Sequence, residues 1–172
     1  KADTFSTFKS LSVLDIKYKG PQWELVESDN EVTLKANQVQ ATVLLTTGEV
    51  IFKDSTGNVL LQEKQGGGKT FTAISDEGKQ AFSIRQEFES PADEAFYGLG
   101  GHQNGQMNYK GEDVELAQHN IVDVIPFLYS SKNYGILWDN YSISHFGDPR
   151  EYQPLSSLKL FNKTGEEGGL TA

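Results

Sequence analysis

From Trp23 onward, apolar residues recur at every second position in short runs, and each run stops at a cluster of Gly, Asn, Asp or Ser. Trp23-Glu24-Leu25-Val26-Glu27, Val32-Thr33-Leu34-Lys35 and Val39-Gln40-Ala41-Thr42-Val43-Leu44-Leu45 are rich in β-branched residues, with Ser28-Asp29-Asn30 between the first two. Successive side chains on a strand point to opposite faces, so this alternation predicts antiparallel strands with one apolar side. Thr46-Thr47-Gly48 leads into Val50-Ile51-Phe52-Lys53, and Asp54-Ser55-Thr56-Gly57-Asn58 into Val59-Leu60-Leu61-Gln62, a meander with short loops. Phe71-Thr72-Ala73-Ile74 and Phe82-Ser83-Ile84-Arg85-Gln86-Glu87-Phe88 alternate in the same way around Asp76-Glu77-Gly78-Lys79. No long stretch carries a helical period. About ten strands with closely spaced turns predict an all-β, antiparallel β-sandwich.

The ends of the chain are less regular. Leu11, Val13 and Leu14-Asp15-Ile16 are expected to open an edge strand before the break at Gly20-Pro21, Phe146-Gly147-Asp148-Pro149-Arg150 a turn, and Leu158-Lys159-Leu160-Phe161 a last strand. Between them, two aromatic runs bracket a polar span: Phe96-Tyr97-Gly98-Leu99-Gly100-Gly101 precedes it, and Ile125-Pro126-Phe127-Leu128-Tyr129-Ser130-Ser131 follows it. A rigid sheet presenting a polar loop is a common way to display function.

Composition narrows the function. With 172 residues the chain is long enough for one core and too short for a sandwich plus a catalytic barrel of roughly 250 residues. Fifteen basic against 24 acidic residues give a net charge of -9, which repels a phosphate backbone, so nucleic acid is not expected as a partner. There is no cysteine, and the three histidines, His102, His119 and His145, lack a metal-binding spacing, so neither a metal nor another cofactor is expected. No apolar run approaches the roughly 20 residues that span a bilayer. Gly66-Gly67-Gly68-Lys69-Thr70 is similar to a phosphate-binding loop, but the nucleotide motif needs Gly where Glu63 stands, and no helix pattern follows.

The Phe-Tyr-Gly-Leu-Gly run, the Pro126-Phe127 strand and Tyr134-Gly135-Ile136-Leu137-Trp138-Asp139-Asn140, in this order, resemble the N-terminal β-sandwich domain of glycoside hydrolase family 31, the retaining α-glucosidases and α-xylosidases. The wording from His102 to Gly111 most resembles bacterial α-xylosidases acting on xyloglucan fragments. The resemblance implies a galactose-mutarotase-like sandwich over residues 1–165. Residues 166–172 would begin a linker or an inserted carbohydrate-binding module. It also implies a (β/α)8 barrel of the same parent chain as partner, an oligosaccharide substrate, and a periplasmic or cell-surface location in a bacterium.

In that family the two catalytic carboxylates lie on the barrel, about 5 to 5.5 Å apart, so none is expected in this chain. Asp113 and Glu115 have the spacing to share a strand face, yet read better as a solvated acidic loop. The resemblance places Gln118, His119 and Asn120 where a loop shapes the sugar pocket. Uncharged amide and imidazole groups suit hydroxyl-rich ligands. Tyr109, in the same polar span, is expected to offer a ring to the sugar. Tyr97, Phe127, Tyr129, Tyr134 and Trp138 read as core aromatics rather than stacking platforms. Two other classes remain open from the residues alone: a free-standing carbohydrate-binding module and a cell-surface adhesion sandwich.

Overall fold

The all-β expectation holds: the described residues contain thirteen strands in antiparallel sheets and no helix. The structure, a computed structural model, describes residues 7–15, 20 and 22–148. The strand expected at 158–161 and the linker expected at 166–172 lie outside these residues.

The meander runs through β1 (Trp23–Glu27), β2 (Glu31–Ala36), β3 (Val39–Leu44), β4 (Val50–Asp54) and β5 (Val59–Glu63), each paired with the next. Its register aligns Leu25, Leu34, Ala41, Phe52 and Leu61 in one row across the sheet. On the opposite face Thr33 and Thr42 are buried and share a hydroxyl hydrogen bond of 2.9 Å. β6 (Lys69–Asp76) and β7 (Lys79–Gln86) form a separate two-stranded ribbon. Glu77 and Gly78 close it with φ of 47° and 78°, the double positive twist a two-residue hairpin loop favours. β8 (Phe88–Glu89) then returns to pair with β5. Lys69, last cation of the glycine-rich stretch, enters β6 with its ammonium on the Glu63 carboxylate, which also accepts Val50 N at 2.9 Å. That stretch is therefore a turn into a strand.

The remaining strands build the core. β9 (Phe96–Gly101) pairs with β11 (Asp123–Ser130), which pairs on its other side with β12 (Gly135–Leu137). β10 (Asp113–Leu116) pairs with β13 (Ser144–Gly147). Leu99, Tyr109, Val114, Leu116 and Leu128 are buried together, with Phe96, Val124, Ile136 and Phe146 packed on them. The inner faces of the three-stranded sheet and of the β10–β13 pair thus meet as two layers. Phe96 and Phe146 touch edge to face, 5.7 Å between centroids. Each fully buried Leu or Val contributes about 1.5–3 kcal/mol, so these few residues dominate the packing energy.

A short connector joins β8 to β9. Within it Glu94 is only 4% exposed and accepts hydrogen bonds from Ser90 Oγ at 2.8 Å, from Ser130 Oγ and from the Tyr134 hydroxyl. Burial, and then the bond to Glu94, push the Tyr134 hydroxyl well above its ordinary pKa. Beside it, the hydrogen bond from Lys132 holds Asp93 below the usual carboxylate range.

Three expectations are corrected. Residues 11–13 form a bend rather than an edge strand, and Ile16 lies outside the described residues. Phe146 and Gly147 belong to β13 instead of a turn. The polar span contains a strand, β10, whose Asp-Val-Glu-Leu alternation buries Val114 and Leu116.

Candidate functional site

β9 and β11 are antiparallel neighbours, so the segment between them leaves and re-enters the same sheet, with Gly101 opposite Asp123. Its first half is pinned down. Phe96 N and Lys110 N both donate to Asn108 Oδ1 at 3.0 Å, and Tyr109 N donates to Phe96 O at 2.9 Å. His102 Nε2 donates to Leu99 O at 3.0 Å, and its ring lies edge-on to Tyr109, 5.9 Å between centroids. Lys110 donates to Pro91 O at 2.6 Å and sits over the Phe96 ring.

This corrects the expectation for Tyr109. The ring expected to face a sugar is 4% exposed and is part of the core. Hydrogen bonding of its own backbone to β9 pulls it inward, and the surrounding Asn108 and Lys110 are polar because they hold the loop together. The aromatics of β11 fail the opposite way. Phe127 and Tyr129, expected in the core, are 44% and 47% exposed.

The second half makes a tight turn. His119 and Val122 form an isolated bridge, with Val122 N on His119 O at 3.4 Å. Gln118 spans the turn: its Nε2 donates to Val122 O at 2.7 Å and its Oε1 accepts Val124 N at 2.9 Å. Both ends of that amide are thus used inside the protein. His119 and Asn120 are exposed, and His119 Nε2 lies 3.5 Å from Glu115 Oε2.

Strand alternation adds neighbours that the chain order did not reveal. Asp113 and Glu115 lie on the outer face of β10, opposite Gly147 and His145 of β13. His145 Nδ1 is 3.2 Å from Asp113 Oδ1. Asp113, Glu115, His119 and His145 therefore form one polar patch of two imidazole–carboxylate pairs. Each carboxylate faces an imidazole and neither faces the other, so no acid–base pair of the glycosidase kind is built here. Among the described residues no group of three or more such side chains is placed to hold a metal ion. His145 could be found only by knowing that β13 pairs with β10, a contact across 30-odd residues that short-range signals do not carry.

Comparison with known proteins gives consistent matches. A family described as "Glycosyl hydrolase 31 N-terminal galactose mutarotase-like domain" matches residues 6–146. An α-xylosidase of Saccharolobus solfataricus is 34% identical over 145 residues, spanning 79% of this chain and 18% of that protein. The crystal structure of a family 31 α-xylosidase from Xanthomonas citri is 48% identical, with a TM-score of 0.73 over 78% of this chain and 14% of that one. A family 31 α-xylosidase from a soil metagenome, solved with xylose, is 27% identical with a TM-score of 0.73, over 84% of this chain and 24% of that one. The chain thus spans less than a third of the length of each of these relatives.

Proposed function

Because the chain belongs to the family of glycosyl hydrolase 31 N-terminal galactose mutarotase-like domains, we propose that it is the non-catalytic leading part of a retaining α-glycosidase, and that the parent releases xylose from xyloglucan oligosaccharides. The observation that carries this reading is the 48% identity to an α-xylosidase of which the chain covers 14%. The barrel of the same polypeptide supplies both catalytic carboxylates, so these 172 residues alone turn over no substrate. A polymer-derived substrate places the parent in the periplasm or at the cell surface of a bacterium.

Within this reading the turn after β10 completes the sugar pocket. Gln118 holds its shape through the Val122 and Val124 bonds, and His119 and Asn120 present exposed donors and acceptors to hydroxyl groups. Tyr109 supports the turn from the core. In the full-length parent, His119→Ala is expected to lower kcat/KM for xyloglucan oligosaccharides about tenfold, the worth of one hydrogen bond to substrate, with the melting temperature unchanged. Wild-type kinetics in that variant would remove the turn from the pocket.

The exposed Phe127 and Tyr129 rings favour a second reading, a free-standing carbohydrate-binding module. Calorimetric titration of this chain with the same oligosaccharides separates the two. The leading-domain reading expects no saturable heat.

A further inference from the structure

The three-stranded sheet has two unlike faces. Its inner face carries Phe96, Leu128 and Ile136 into the core. Register puts Tyr97 beside Tyr129 and Phe127 beside Leu137 on the outer face, and alternation along β11 adds Ile125. Ile125, Phe127, Tyr129 and Leu137 are all exposed, and Ile121, more exposed still, sits in the turn that leads into β11. Contiguous apolar area of this kind, rich in aromatic rings and poor in charge, has the composition of an interface centre rather than of free surface.

We infer that this outer face, Tyr97, Ile125, Phe127, Tyr129 and Leu137, is the seat of the catalytic part of the same polypeptide. The inference rests on the reading that such a part follows in the parent. Two observations choose the occupant. The matched relatives carry this domain as 14% to 24% of their solved chains, so several times its mass is tethered beside it. The face also runs without a break into the 118–122 turn, so a body seated on it would overhang His119 and Asn120. A covalently linked partner is present at high effective concentration and needs only modest complementarity to stay docked.

Hydroxyl-radical footprinting of the full-length parent tests this. Oxidation rates at Phe127 and Tyr129 are compared with those of the same protein unfolded in urea. Rings nearly half exposed, as here, would be protected only about twofold; a seated catalytic part is expected to protect them more than tenfold, at every protein concentration. Protection of about twofold overturns the inference. Protection that develops only on adding xyloglucan oligosaccharide overturns it in favour of a glycan platform. Protection lost on dilution, together with a dimer in sedimentation, overturns it in favour of a second copy. Strong protection in a parent that does not hydrolyse α-xylosides would sink the substrate assignment and leave the docking face standing. An active enzyme with unprotected rings would do the reverse.

Discussion

Leu99 is buried in the core at φ 63°, between Gly98 at 103° and Gly100 at 101°. The flanking glycines have a steric reason. A Cβ on Gly98 would lie 2.5 Å from Phe127 O, and one on Gly100 would lie 1.8 Å from Asp123 O, where β9 meets the register shift in β11. Leu99 itself pays roughly 1–2 kcal/mol for the left-handed backbone. The usual ranking of small residues should therefore invert at this site. Leu99→Ala and Leu99→Gly both lose the buried side chain, at about 2–5 kcal/mol. The glycine variant recovers the backbone strain, and its urea midpoint is expected to exceed that of the alanine variant by about 1 kcal/mol of stability. The opposite order would mean that the backbone there is not strained. The Gly-Leu-Gly wording was readable as a motif, but the reason for it was not, because the close approach comes from a strand more than twenty residues away. Tyr109 shows the same limit: its polar neighbours indicate a loop, and only the hydrogen bond to Phe96 O reveals that the loop folds inward.

Among the strands, those joined by short turns were legible, since turn chemistry and alternation sit side by side in the chain. The β4–β5 connection illustrates it. Asp54 Oδ1 accepts Thr56 N at 2.8 Å, Thr56 Oγ1 at 2.7 Å and Asn58 N at 2.9 Å, so its carboxylate acts as the hub of the turn. The side-chain bonds from Thr56 and then Asn58 lower its pKa from 3.8 to about 2. A depressed carboxylate stabilises the fold above its unfolded pKa and loses that contribution as pH falls from 3.8 through about 2. Carboxyl carbon NMR of the folded chain should place the Asp54 midpoint near 2, and Thr56→Ala should move it back toward 3.8. A midpoint near 3.8 in the unaltered chain would contradict the hub geometry. β10 and β13 were missed for the converse reason. Each has four residues, their partners lie far along the chain, and the Phe146-Gly147 pair that reads as a turn is the end of a strand.

For the whole molecule, the apolar periodicity reported strands well and burial poorly. Leu25 and Leu34 have the alternation of core residues, yet are 48% and 41% exposed, while the buried cluster comes from β9, β10 and β11 and the loop carrying Tyr109. Amide exchange should follow that division. The slowest amides are expected in β9 and β11, and those of the β6–β7 ribbon, which carries exposed Phe71, Phe82 and Ile84, should exchange markedly faster. Uniform protection across all thirteen strands would show that the ribbon is as firmly held as the core. The family was readable because its motifs lie on β9, β11 and β12, where close approaches and register limit which residues fit. The contact turn was readable only as a region, since Gln118 and His119 look alike in the chain and differ in which way their polar atoms point.

The junction between the meander and the core depends on the hydroxyls of Ser90, Ser130 and Tyr134 gathered on Glu94. Greasy contacts slacken on cooling because their heat capacity change is large and of one sign, whereas links between polar groups carry a small change of the opposite sign. Chilling should thus loosen the interior before it loosens this knot, leaving the two halves joined at temperatures where either would begin to soften.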